Sequence, residues 1–478
     1  MKKIIAIALA GVVVASSAVA IALNVDDTPV LKVANWAEYI AGGDEDSELL
    51  REFEVWYKEQ TGEAIRVEYC TADDNETLYN MIKMGDSFDL VCPSEYMIMK
   101  LAAEGYLQKL PDSFFDASIE TNYYAKHVSP YISRVFAENE IESIHEPWSA
   151  YAAGYMWGTT GFIYNPEIVK EEDVSTWNVF VNKSYANKIT AKNNIRDTYF
   201  VGLAMYYEKE LLAAKSAYNE GLSELESQYT NSLITEQEYE TQKDSLLQGY
   251  QKKIGKMMND TSEKTMNDVK KILQSITGNL YGFETDEGKN DMIAGKISVN
   301  YQWSGDGVYI MDYAAGEIED EPVSNPVDLH YSIPDSVSNL WFDGWAIPKS
   351  SKNVKAATMF INFLSRPDNA VENMDYIGYT SCIAGTSDEQ DPYYDYVFDN
   401  YVLPKYTAKP TDTETTVYDV SYYFGKDHYL TVPVNQTKRQ LFAQYPDELT
   451  LTRCVAMQYF TRDANTRANM MWSDITFL

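Results

Sequence analysis

The chain has 478 residues, 45% of them apolar, with 38 tyrosines and a formal net charge of −33. That length is too great for one small core and predicts two or three lobes, and the tyrosine content excludes a disordered chain. The acidity repels nucleic acid and anionic lipid, so no nucleic-acid partner is expected; it suits a cationic partner, and equally plain solubility outside the cell.

Met1-Lys2-Lys3 precedes an uncharged run over residues 4–23, which Asn24-Val25-Asp26-Asp27 ends. A basic start followed by an apolar run is an export signal. The run is also just long enough to span a bilayer. Residues 1–28 therefore read either as a signal peptide, with a small-residue cleavage site at Ala18-Val19-Ala20, or as an uncleaved membrane anchor. Both place the body outside the cytoplasm, in a periplasm or on the outer face of the cell membrane.

Val30-Leu31-Lys32-Val33-Ala34 reads as a strand, and residues 48–61 carry Leu49, Leu50, Phe53, Trp56 and Tyr57 at helical spacing. Residues 64–69 read as a strand, 77–84 as a helix and 88–92 as a buried strand. This β-α-β-α-β order predicts a mainly parallel sheet covered by helices, with ligands bound beyond the carboxyl ends of the strands. Trp36 and Ser94 fall just past two such ends. Further strands are expected at 161–164, 297–301 and 345–347. Between the first two of these, residues 206–231 and 235–260 read as an antiparallel helical hairpin, with a capping box from Thr235 to Glu238. The hairpin is either a decoration that packs on itself or a docking arm. Residues 387–422, rich in Asp, Thr, Tyr and Pro, read as a long surface excursion, and 447–477 as helical.

Cys70, Cys92, Cys382 and Cys454 allow three disulfide pairings or four free thiols. The four histidines are scattered, and no metal site is expected. The informative residues are acid–aromatic clusters: Asn35-Trp36-Ala37-Glu38-Tyr39, Pro93-Ser94-Glu95-Tyr96, Trp303-Ser304-Gly305-Asp306 and Trp341-Phe342-Asp343-Gly344-Trp345. Aromatic faces attract an organic cation and carboxylates neutralise it, so four such clusters beside strands suggest one cleft lined for a cation. Trp345, Trp157 and Trp56 are expected in the core or hinge. Glu95 reads as a solvated rim residue, and Asp306 as either a ligand contact or a helix N-cap.

Several blocks resemble the spermidine/putrescine-binding proteins of polyamine ABC importers. Asn35-Trp36-Ala37-Glu38-Tyr39 is similar to that family's opening motif. Asn75-Glu76-Thr77-Leu78-Tyr79, Asp89-Leu90-Val91-Cys92-Pro93-Ser94, residues 155–161, residues 340–343 before Ala346-Ile347-Pro348, residues 361–364 before Arg366-Pro367, and Ile377-Gly378-Tyr379-Thr380 follow in the family's order.

The resemblance implies a two-lobed α/β fold of the type II periplasmic-binding-protein kind, interrupted here by the hairpin over 206–260. Residues 29–157 and 341–385 would form one lobe, and 158–340 and 386–478 the other. The implied partners are a polyamine and ABC permease subunits in the membrane, with the binding protein acting as a monomer. No cofactor and no catalytic residues are implied.

Carried over residue by residue, the resemblance puts Trp36, Tyr39, Trp303 and Trp341 around the ligand's methylene chain. Asp343 becomes the central carboxylate, with Glu38 on the same wall, and Ser94 is counted among the ligand-binding residues. Tyr96 and Tyr379 lie near the ligand's ends. Asp306 matches the acid of putrescine-preferring members, and Asp197 one of two acids of spermidine-preferring members; the other is replaced by Asn194. A same-fold receptor for another small cation such as thiamine, and an extracellular carbohydrate hydrolase using paired carboxylates, are the alternatives.

Overall fold

A computed structural model describes residues 28–44, 47–317, 323 and 326–476. The export or anchor segment lies outside the described residues, Thr28 excepted. No described helix is long and apolar enough to cross a membrane.

The core is a mixed sheet in two halves joined by two long strands, Ala152–Tyr164 and Ser338–Pro348. Both are buried at every position, as strands covered on two faces must be. In the first half Val30–Asn35 lies between Arg66–Thr71 and Leu90–Val91 and pairs parallel with each. The outer face of Leu90–Val91 meets Ala346 of the second long strand. In the second half Val299–Trp303 pairs with residues 160–164 of the first long strand and runs parallel to Ile189–Lys192, which in turn pairs with Gly282–Glu284.

The long strands pair antiparallel with each other from Leu340/Thr159 to Ala346/Ala152, and their register slips once, between Asp343 and Gly344. A bulge re-aims side chains locally. Here it falls where the two halves of the sheet meet, and Asp343 is the residue it presents. Across the pair, Gly158 lies opposite Trp341, and a Cβ at that glycine would collide with the indole and with Ser304 Oγ.

Helix Glu48–Thr61 buries Leu49, Leu50, Phe53, Trp56 and Tyr57, the face expected from their spacing. Helices Glu208–Thr230 and Glu236–Met258 pack on each other, with Tyr218 stacked on Tyr250 and Tyr229 on Tyr239. A full capping box at Thr235 and Glu238 starts the second helix.

Two expected segments differ in detail. Residues 387–422 lie largely at the surface, as expected, but are pinned to the body at buried residues. Tyr401 and Tyr406 are buried, each hydrogen-bonded to Gln444, and Thr415–Asp419 forms a ribbon with Tyr429–Pro433. Tyrosines carry enough apolar area to bury such a segment once their hydroxyls find partners. Residues 447–476 are not one helix. A short helix, Glu448–Leu451, gives way to the strand Cys454–Val455, which pairs with Ser338 and Asn339 before helix Arg462–Thr476 begins. Cys92, Cys382 and Cys454 are free thiols.

Candidate functional site

The site is built around Asp343. Trp36, directly after strand Val30–Asn35, donates its indole N–H to Asp343 Oδ2 at 3.2 Å. Tyr39 donates its hydroxyl to the same oxygen at 2.9 Å, and Ser94 donates to Oδ1 at 2.7 Å. Ser94 is held in turn by Asn75, which accepts from its backbone N–H and donates to its hydroxyl. Two parallel-strand ends thus converge on the bulge of the crossing strand, where the strand order predicts a ligand.

Burial pushes the Asp343 carboxyl up to about 6, against the pull of the three hydrogen bonds. Each of those donors is neutral. A carboxylate has about four acceptor directions, so one is left for a further donor. Above it, Tyr379 packs edge-on to Tyr39 at 5.3 Å and tilted to Trp341 at 5.5 Å. A buried carboxylate with only neutral donors, beside aromatic rings, has the chemistry to receive an ammonium.

The position of Tyr379 depends on Gly305, because a Cβ there would overlap its ring. Gly305→Ala should therefore displace Tyr379 from the box and cost about 1–3 kcal/mol of stability, as overpacking does. Denaturant unfolding checks this, and an unchanged midpoint would show that the ring has room to move.

The other expected site residues lie around this seat in different ways. Trp303 ends strand Val299–Trp303, and Ser304–Ala315 follows as a helix. Asp306 sits in the first turn of that helix, whose N-cap position is Trp303, so the reading of Asp306 as a cap does not hold. Asp306 instead lies 3.5 Å from Lys289 Nζ, which also reaches Asp286 at 3.1 Å. Burial would lower the Lys289 ammonium, but Asp306 and Asp286 outweigh it and hold it raised, with a further contribution from Glu38.

Glu38 itself is exposed, with a left-handed φ of 54°, and makes no contact with Asp343; its backbone N–H donates to Asp44. Asp197 is buried and reciprocally bonded to Asn194, whose side chain accepts from Asp197 N and donates to Oδ2. Asn194, which replaces an acid in the resemblance, is the N-cap of helix Ile195–Tyr206.

Tyr96 directs its hydroxyl to Glu76 and has no hydrogen bond to Asp343. Its hydroxyl is 3.4 Å from Glu76, and the Arg196 guanidinium lies 4.1 Å over its ring. Both line a separate groove of about 500 Å³ that also includes Phe460 and Arg462.

Glu95 is a correction. It is 1% exposed, not a solvated rim residue. Its carboxyl accepts from the backbone N–H of Phe342 at 3.1 Å and of Met457 at 3.3 Å. Burial raises its pKa to about 8, so it is mainly neutral at pH 7. Two backbone donors from distant segments supply what solvent would, and the residue ties helix Glu95–Ala103 to the crossing strand.

Lys192 and Lys289 were missed altogether. Lys192 Nζ stands 3.8 Å from the centroid of the Trp303 ring and donates to Thr285 O at 2.8 Å. No group of described residues could hold a metal ion.

A mixed α/β sheet in two halves joined by two long crossing strands is the architecture of an α/β solute-binding protein. The chain belongs to the bacterial extracellular solute-binding proteins, whose family pattern it matches over residues 51–396. Among relatives, it is 24% identical over 360 residues to the spermidine/putrescine-binding periplasmic protein of Escherichia coli, covering 75% of this chain and 79% of that one. It is 26% identical over 372 residues to the putrescine-binding periplasmic protein PotF of the same organism, covering 76% and 80%. A solved structure described as a putative spermidine/putrescine ABC transporter from Listeria monocytogenes superposes with a TM-score of 0.60 at 24% identity, over 94% of this chain and 99% of that one. That likeness shows the fold.

Proposed function

We propose that this chain captures a polyamine, putrescine or spermidine, outside the cytoplasm, in the cleft between two lobes of a type II fold, and delivers it to an ABC permease. The observation that carries the reading is Asp343, a buried carboxylate under an aromatic box with neutral donors on three sides. An ammonium placed there gains a counter-charge, and the buried carboxylate loses its own cost of isolation. The names of the relatives point the same way.

We take residues 29–157 with 341–385 as one lobe and 158–340 with 386–476 as the other. Closure about the two crossing strands would trap the ligand and mark the loaded form for the permease. The paired helices over 208–258 are then an insertion in the second lobe, and residues 1–28 either a removed signal or a tether.

A melting curve tests the reading. A ligand at one hundred times its Kd adds about 2.7 kcal/mol of stability. Millimolar putrescine or spermidine should therefore raise the melting temperature and, with Trp36 and Trp341 at the seat, change tryptophan fluorescence. An unchanged curve with both amines would contradict polyamine capture.

A further inference from the structure

We propose that Lys192 limits the cleft to ligands with two ammonium groups, because its own ammonium permanently fills a third ammonium seat on the face of Trp303. The inference rests on the polyamine reading above and deepens it.

The corner around Trp303 already holds a lysine amine. Lys192 Nζ lies 3.8 Å from the indole centroid, 2.8 Å from Thr285 O and 3.8 Å from Glu284 Oε1. Burial draws the Lys192 ammonium below the usual lysine range, and Glu284 first, then Asp306 and Asp197, pull back in favour of its charge. An aromatic face, a carbonyl and several carboxylates are what the terminal amine of a ligand would need.

Lys192 cannot vacate the seat by a rotamer change into water. Its side chain is 1% exposed, it ends strand Ile189–Lys192 in register with Glu284, and its carbonyl accepts from Thr198 Oγ1. Lys289 is the contrast. It neutralises Asp306 but is 20% exposed and belongs to the short helix Glu287–Ile293, so an incoming amine can displace it. The cleft therefore offers one seat without a cation, at Asp343, and one exchangeable seat, at Asp306. A third ammonium would meet the fixed charge of Lys192, and like charges in a dry site repel strongly.

A simple buried ion pair of Lys192 with Glu284 predicts no effect on ligand choice, so the ratio of two affinities separates the readings. Putrescine and spermidine are titrated calorimetrically into the full protein, the Lys192→Met variant and the Lys192→Met/Glu284→Gln variant. The double variant removes both charges and guards against misfolding from an unpaired Glu284. The wild type should favour putrescine tenfold or more, and either folded variant should move the ratio at least tenfold toward spermidine. A ratio that moves less than threefold, or a wild type that favours spermidine tenfold, overturns the proposal and leaves polyamine capture standing. Absence of binding by both amines to the wild type overturns capture, and this proposal with it.

Discussion

Asp343→Asn should weaken polyamine binding by roughly 2–5 kcal/mol, because the ligand's ammonium keeps the cost of burial and loses its counter-charge. The substitution keeps the size of the side chain and one oxygen for Ser94 to bond. Its effect should therefore fall on ligand affinity and leave the fold intact. Calorimetry on the variant reads the loss directly, with a melting curve of the ligand-free protein as the check on folding. A loss below tenfold would mean that another carboxylate anchors the amine; Asp306, the other acid near the box, would then be the residue to change.

Acid should abolish binding through the same residue. The ligand-free carboxyl titrates at about 6, raised by burial. An unfolded aspartate titrates near 3.9, so between about pH 4 and 6 the ligand-free folded state holds the extra proton. Stability of the ligand-free protein then falls as pH rises through that window, by roughly 3 kcal/mol in total for this group. Glu95, also raised by burial, to about 8, acts in the same direction over a higher window. The liganded protein behaves oppositely at Asp343, because the ammonium requires the ionised form.

Apparent polyamine affinity should thus fall about tenfold per pH unit below 6 and approach a hundredfold loss at pH 4. Putrescine stays doubly charged throughout, so the protein alone sets the slope. Affinity independent of pH from 4.5 to 7 would show that Asp343 is already ionised when the ligand arrives.

The first half of the sheet is legible in the sequence because each strand and helix there is short and bounded by Gly, Asn or Asp. The residues gathered at Asp343, namely Trp36, Tyr39, Ser94, Trp341 and Tyr379, are legible because they sit in compact blocks beside those strands. The long crossing strands are only partly so. Of Ala152–Tyr164 only residues 161–164 are expected as strand, and Gly154, Gly158 and Gly161 find their reason in the close approach of Cys382, Trp341 and Tyr331 respectively.

Glu95 misleads for another cause. A buried carboxylate is rare, and the backbone donors that satisfy it come from Phe342 and Met457, hundreds of residues away. The lysines were invisible on the same ground. Nothing in Thr190-Ala191-Lys192 announces that Trp303 will lie under that side chain. The tyrosine-rich segment 387–422 shows the limit of composition, since its prolines suggest a loop while its tyrosines bury against Gln444.

The most direct measurement is a calorimetric titration of the full protein at neutral pH with putrescine, spermidine, thiamine and an oligosaccharide panel. The two proposed ammonium seats, Asp343 under its aromatic box and Asp306, are enough for sub-micromolar affinity, about 8 kcal/mol or more. Saturable binding of a polyamine in that range, one ligand per chain, with no heat from thiamine or sugars, is the expected result. Saturable binding of thiamine or a sugar with none of either polyamine at millimolar concentration would contradict it.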